Sequence, residues 1–191
     1  MTASKAARVQ GVLSALGRTE GHRGDDDAEL RRAATLEDPV QMLRGWRGLS
    51  HLLPLAELGW VTLFDGEGDF FEDGRHAGVV DYLLRGAAVT LSVSDHWAGT
   101  THHLTLGDGA RAASFVQTHA RVSDHADAAL LVAATLEGFR LVDAPFIARA
   151  VDTKDQGICL VTPPLDVDAR LREEGLLTRA LALELPVATR R

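Results

Sequence analysis

One stretch of strict alternation, residues 89–108, constrains the fold of this chain more than any other feature. Within 89–97, apolar side chains alternate with Thr, Ser and His, and the alternation resumes over 101–106 after Ala98-Gly99. Because successive side chains of a strand point to opposite faces, this pattern predicts two strands with one buried face each. A glycine between them favours a tight turn. The stretch therefore predicts a β-hairpin over 89–106.

A two-residue loop at Ala98-Gly99 would also set the register of this hairpin. Asp95 then pairs with His102 on the apolar side, while His96 and His103 lie diagonally on the polar face, with Cα atoms roughly 7–8 Å apart. The register is favoured because it brings the apolar faces together, and a one-residue slip would turn every side chain over. The side chains expected to be buried are those of Val89, Leu91, Val93, Leu104 and Leu106.

Composition sets outer limits on the class of protein. The chain has 191 residues, 46% hydrophobic and 25% charged, which is ordinary for one globular domain. A net charge of −7 gives no global electrostatic reason to bind nucleic acid or an anionic membrane. The single cysteine excludes an intramolecular disulfide and a thiolate metal cluster. Without an apolar signal core or membrane-length run, we expect a cytoplasmic protein, and the preference for Arg over Lys suggests a bacterial source.

The pattern along the chain predicts an α+β fold, in which helices cover one face of an antiparallel sheet. Residues 1–37 read as an N-terminal helical extension and 38–191 as the α+β domain. Helices are expected at 3–17, 26–36, 39–53, 75–84 and 166–184, and strands at 60–65, 69–72, 139–151 and 157–162. Two segments stay open: 110–118 favours a strand over a helix because it follows Asp108-Gly109, and 126–136 fits a buried strand or a core helix.

The predicted hairpin concentrates histidines beside a carboxylate. Asp95, His96, His102 and His103 are candidate ligands for a divalent metal, since imidazole and carboxylate suit Zn, Fe or Ni. Adjacent strand residues face opposite sides, so His102 and His103 would need a bulge to share one ion. The alternative is a set of exposed histidines on the polar face. No other cofactor is predicted.

The tetrapeptide Val-Ser-Asp-His occurs twice, at 93–96 and 122–125. Each Asp-His pair could act as an acid–base dyad in which the carboxylate orients the imidazole. The second copy also fits a helix N-cap, with Ser123 or Asp124 as the capping residue. The flanking sequences do not match, so no internal repeat is inferred.

A local basic face is the one feature that favours DNA. Arg44, Arg47 and His51 lie three and four residues apart on the predicted helix 39–53 and share a face that could contact phosphate. The net charge of −7 opposes approach to DNA, and a solvated face explains the same residues.

The order of the predicted elements resembles the Roadblock/LC7 family. The resemblance rests on a helix (39–53), a hairpin with Asp65-Gly66, a helix (75–84) and an antiparallel run of strands, and it covers residues 39–120. It implies a dimer that acts on partners, often small GTPases, without catalysis of its own.

Three functional hypotheses follow from the sequence. The first is a non-enzymatic interaction or regulatory module that binds another protein or a second copy of itself, because no catalytic constellation converges. The second is a metal-dependent or histidine-based enzyme centred on 95–103. DNA binding through Arg44, Arg47 and His51 ranks third, and no membrane association is expected.

Overall fold

The α+β class and the antiparallel pairing predicted from the sequence are confirmed. The structure, a computed structural model, describes residues 3–18, 31, 36–45, 48–66, 70–121, 126–154, 157–177 and 180–190. The predicted helix 26–36 and the second Val-Ser-Asp-His copy at 122–125 fall largely or wholly outside these residues. Within the described part of the chain, no helix has the length and apolar character needed to cross a bilayer.

A helical N-terminal part is followed by a mixture of helices and strands. The helices are α1 (Lys5–Ala15), α2 (Pro39–Gly45), a 3-10 turn (Ser50–Leu52), α3 (Leu53–Glu57), α4 (Arg75–Gly86), α5 (Ala128–Leu141) and α6 (Leu165–Glu173). The strands are β1 (Val61–Asp65), β2 (Ser92–Ala98), β3 (Thr101–Gly107), β4 (Ala112–Thr118), β5 (Arg149–Val151), β6 (Gly157–Val161) and β7 (Thr189–Arg190). They form two antiparallel sheets, in the orders β1-β6-β5 and β2-β3-β4-β7.

The described residues form two apolar cores, and the three-stranded sheet contributes side chains to both. The inner face of β2-β3-β4 packs against α4 and α5, and its core includes fully buried Leu84, Leu104 and Leu106. The smaller sheet packs with α1, α2, α3 and α6, where Val9 and Leu13 of α1 are buried. The helix expected in the N-terminal extension therefore belongs to the second core, while the boundary at residue 37 stays a prediction.

The central hairpin forms, but its register differs by two residues from the one predicted. His96 pairs with His103, Trp97 with His102, and the two-residue loop is Gly99-Thr100 instead of Ala98-Gly99. Gly99 has φ +64 at the first loop position, which is where a type II′ turn requires glycine. A two-residue shift keeps every side chain on its predicted face. Four of the five side chains expected to be buried are buried, and Val93 is half-buried.

Two predicted elements are wrong in extent. The expected helix 39–53 is broken into α2 and the 3-10 turn, because Gly45 and Gly48 lower helix propensity there. Pro54 follows in the first turn of α3, where its missing N–H costs nothing. The expected return strand 69–72 is a turn over 70–72, and β1 pairs with β6 instead.

In the C-terminal half, tertiary packing determines which segments form helices and which form strands. Segment 126–136 belongs to helix α5, and β4 confirms the strand favoured for 110–118. The strand expected over 139–151 is wrong, since its first residues complete α5 and only Arg149–Val151 is a strand. The helix expected over 166–184 ends at Glu173, and positive-φ Gly175 follows that end.

Close contact between α4 and α5 depends on Gly138. A Cβ added there would meet Leu84 Cδ2 at 2.7 Å and Leu106 Cδ1 at 3.3 Å. Both leucines are fully buried, so neither can yield without repacking. We expect Gly138→Ala to lower the free energy of unfolding by about 1–2 kcal/mol in urea titration, because overpacking outweighs the gain in helix propensity. Gly11→Ala in α1, where the new methyl meets nothing within 4 Å, is the matched control and should be stabilising.

Candidate metal centre

Three side chains with metal-binding atoms meet in the interior, at the junction of α4 with the central hairpin. His76 is the second residue of α4, Asp95 lies in β2 and His102 in β3. One ligand atom of each lies within 4.8 Å of the others. Their side chains are 1%, 0% and 1% exposed, so the cluster is shielded from bulk water.

Asp95 joins the helix to the hairpin through both carboxylate oxygens. Its Oδ2 lies 2.7 Å from Nε2 of His102, a buried hydrogen bond. Its Oδ1 accepts a 3.1 Å hydrogen bond from the backbone N–H of Ala77, one of the N–H groups in the first turn of α4 that have no partner within the helix. A carboxylate at a helix N-terminus is also favoured by the helix dipole.

His76 is anchored through one ring nitrogen only. Its Nε2 accepts a 3.2 Å hydrogen bond from the backbone N–H of Asp127, so the neutral ring carries its proton on Nδ1. Nδ1 is buried without a hydrogen-bond partner among the described residues. It lies 3.9 Å from Asp95 Oδ2, beyond hydrogen-bond distance.

Burial keeps His76 uncharged at neutral pH. Desolvation first, and the nearby His102 second, lower its pKa from 6.5 to about 4, against the opposing effect of Asp95. The 3.9 Å approach to Asp95 is therefore not an ion pair at pH 7. What remains is an uncharged imidazole whose Nδ1 faces a carboxylate without bonding to it.

Aromatic rings enclose the cluster. Trp97 stacks on His102 with centroids 4.4 Å apart and planes within 11°, and Phe70 meets His76 edge-on at 5.0 Å. Trp97 is held by two hydrogen bonds. Its backbone N–H donates to Asp73 Oδ1 at 2.7 Å, and its indole Nε1–H donates to the Phe70 carbonyl at 3.2 Å. These contacts fix the orientation of the His102 ring.

Two more buried polar atoms near this cluster have no partner among the described residues. Gln117 Oε1 belongs to the residue directly opposite His102 on β4. His119 Nε2 belongs to a ring that contacts Trp97 at 5.4 Å between centroids. Unpaired buried polar atoms are costly, and a concentration of them is typical of a site that binds a ligand or an ion.

The separations of the donor atoms suit a small transition metal after minor adjustment. Zinc bonds of about 2.0–2.2 Å in tetrahedral geometry place ligand atoms roughly 3.3–3.5 Å apart. The observed distances from Asp95 Oδ2, 2.7 Å to His102 Nε2 and 3.9 Å to His76 Nδ1, lie on either side of that value. Two imidazoles and one carboxylate also match the preference of Zn, Fe, Co or Ni over Mg or Ca.

A surface cleft of about 490 Å³ leads along α4 and β2 towards this cluster. Gly74, Ala77 and Asp95 line one part of it, and Asp81 and Arg85, which form an ion pair at 3.0 Å, line another. The cleft reaches the backbone around Asp95 but not the imidazoles.

The structure divides the predicted ligand set between the two faces of the sheet. Asp95 and His102 face inwards, whereas His96 and His103 face outwards as a cross-strand pair with stacked rings, 4.8 Å apart and 2° from parallel. The third candidate ligand in this cluster is His76, which the sequence interpretation missed. Its signal was present: His76 lies on the apolar face of α4, three, four and seven residues before Val79, Val80 and Leu83.

The predicted basic face is not one helical surface in the described part. Arg44 is near the end of α2 and exposed, His51 lies in the separate 3-10 turn and is half-buried, and Arg47 is outside the described residues. The reason is the break in the predicted helix 39–53.

No protein-family model, curated protein or solved structure matches this chain. The resemblance to the Roadblock/LC7 family stays a prediction. The functional interpretation therefore depends on the chemistry of the His76, Asp95 and His102 cluster.

Proposed function

We propose that this protein binds one divalent transition-metal ion at His76, Asp95 and His102. The observation that supports this most directly is the buried Nδ1 of His76, which has no partner among the described residues and faces a hydrogen-bonded His–Asp pair. A buried nitrogen left in this state costs about 1–3 kcal/mol. A metal would use that nitrogen and neutralise the buried carboxylate.

The closed surroundings favour a structural or regulatory ion over a catalytic one. Catalytic zinc keeps one coordination position open to water or substrate, but here the three side chains are at most 1% exposed and Trp97 covers the His102 ring. The ion would connect the N-terminus of α4 to β2 and β3. The proposal thus combines the regulatory module of the first hypothesis with the metal of the second, without assigning catalysis.

Metal titration of chelator-treated protein tests the proposal. We expect one equivalent of Zn²⁺ or Co²⁺ to bind, with Co²⁺ giving the visible absorption bands of a low-symmetry site. At a free metal concentration of 100 times Kd, the free energy of unfolding should rise by about 2.7 kcal/mol, which raises Tm by about 5–10 °C for a chain of this size.

Two histidine variants separate this centre from other histidines of the same hairpin. His102→Gln should abolish both the stoichiometric binding and the thermal shift. His96→Gln is the matched control, because His96 is exposed on the opposite face of β2, and it should bind metal like the parent. Substoichiometric binding by the parent, or equal losses in the two variants, would reject the proposed centre.

A further inference from the structure

The strand residues that the structure describes on the outer face of the four-stranded sheet include no Asp, Glu, Lys or Arg. Side chains on this face come from alternate positions of β2, β3 and β4 and from Thr189 of β7, as the cross-strand pairs establish. They are Ser92, Ser94, His96, Ala98, Thr101, His103, Thr105, Gly107, Ala112, Ser114, Val116, Thr118 and Thr189. None is Asp, Glu, Lys or Arg, although a quarter of the chain is charged.

This outer face is open to solvent in the described structure. The helices α4 and α5 pack on the opposite, inner face. Val116 of β4 is 60% exposed on this face, although an isolated valine of this exposure is unremarkable by itself. A shallow cavity of about 300 Å³ on the same face is lined by His103, Thr105, Ser114 and Val116, among others.

We infer that this uncharged sheet face associates with the same face of a second copy of the chain. A two-fold axis brings identical patches together, so the surface has to be complementary to itself. The cross-strand row Ser94, Thr105, Ser114 and Thr189 meets that requirement. Each hydroxyl both donates and accepts a hydrogen bond, so it can pair with its own counterpart, which a carboxylate or ammonium group cannot do.

Charge selects a second copy over a partner of opposite charge. The chain carries −7 overall, so a basic partner would be attracted to its acidic surfaces and not to this face. Two copies repel each other through those acidic surfaces, and the uncharged face is where they can approach at the lowest electrostatic cost. Association should therefore strengthen as salt screens the repulsion.

The size of the face predicts a weak dimer. Three strands of seven residues and the two residues of β7, with about 4.8 Å between strands and about 3.3 Å per residue, give roughly 360 Å² in projection, or roughly 730 Å² over two copies. Interfaces below about 1,200 Å² are typical of transient complexes. Face-to-face packing of twisted sheets at about −30° would accommodate the two surfaces.

Sedimentation velocity of the full chain over a range of concentrations tests this inference. The parent should shift reversibly from monomer to dimer, with a lower Kd at high salt, both with chelator and with metal. Val116→Glu should raise the dimer Kd at least tenfold, because each copy would then bring a carboxylate into an interface whose described residues include no Lys or Arg to pair with it. Thr105→Glu, on the neighbouring strand, should do the same.

Leu165→Glu is the matched control, because Leu165 is 51% exposed on α6, away from the sheet, and the variant gains the same charge. It should dimerise like the parent, and equal Tm values across the set would show that all variants are folded. A parent that stays monomeric at the highest concentration overturns the inference. A dimer that survives Val116→Glu, for example one joined through the edge strand β2, also overturns it.

Discussion

Asp95→Ala is expected to lower the free energy of unfolding by about 3–5 kcal/mol in metal-free protein. The substitution removes the acceptor of two buried hydrogen bonds, from His102 Nε2 and from the backbone N–H of Ala77. The His102 N–H and the Ala77 N–H would then stay buried without an acceptor, and each unsatisfied donor costs about 1–3 kcal/mol. Urea unfolding followed by circular dichroism measures the loss.

Two companion variants separate the role of charge from that of shape. Asp95→Asn keeps an acceptor for the Ala77 N–H, so it should be less destabilised than Asp95→Ala, yet it should lose metal binding with the carboxylate charge. Ser94→Ala, one residue away and exposed, should change stability by less than about 0.5 kcal/mol. If Asp95→Ala proves as stable as Ser94→Ala, the His76, Asp95 and His102 cluster does not hold α4 against the hairpin.

Acidification should destabilise the metal-free protein through His76. Its pKa is about 4 in the folded protein, whereas an unperturbed histidine has a pKa of 6.5, so the unfolded chain binds the proton more tightly. Above pH 6.5 the ring is neutral in both states and has no effect. As pH falls from 6.5 to about 4, only the unfolded state gains the proton, and the folded state loses about 3 kcal/mol of relative stability.

His76→Gln should remove this part of the pH dependence, since glutamine does not titrate and its amide oxygen can accept the Asp127 N–H. Unfolding free energies of parent and variant, measured from about pH 7 to about pH 4 with chelator present, should diverge by about 3 kcal/mol at the acid end. His96→Gln, on the outer face, should follow the parent. Parallel curves for His76→Gln and the parent would mean that His76 is not buried as described.

Alternation in the sequence identified the hairpin and its inward face but could not fix its register. Apolar and polar positions repeat every two residues, so two registers that differ by two residues bury the same side chains. The choice depended on which loop position takes a positive φ, and Gly99 takes the first. For the candidate site, this changes Asp95 from a direct to a diagonal neighbour of His102.

The hairpin pattern could not identify His76, for a different reason. It precedes Asp95 by nineteen positions, and it joins the cluster only because α4 packs across the inner face of the sheet. The residues of such a site have one feature in common that the sequence shows. Each is a polar residue at a position where the pattern of its helix or strand calls for an apolar one. His76 in α4, Asp95 in β2 and His102 in β3 each show it.

In the C-terminal half of the chain, the secondary structure depends on long-range contacts that sequence periodicity cannot predict. Segment 126–136 is apolar on every side, and from Ala128 onwards it forms α5 because it packs against both α4 and the sheet. The extended tail after α6 is held by Arg190, whose Nε and Nη2 contact the Glu137 carboxylate at 2.5 and 3.0 Å. The guanidinium also lowers the pKa of Glu137. Nothing in the local sequence of the tail indicates this partner.

The hydrogen bond from Asp127 to His76 would make the metal centre and the start of α5 competitors for one imidazole. A neutral imidazole has a single free lone pair, which His76 now offers at Nε2 to the Asp127 N–H. Coordination at Nδ1 would move the ring proton to Nε2, and the Asp127 amide would lose its acceptor. Asp127 is the N-cap of α5, where its side chain accepts from Leu130 N–H. Any new contact that takes the backbone N–H of Asp127 away from His76 would therefore strengthen metal binding. By thermodynamic reciprocity, bound metal would strengthen that new contact by the same factor.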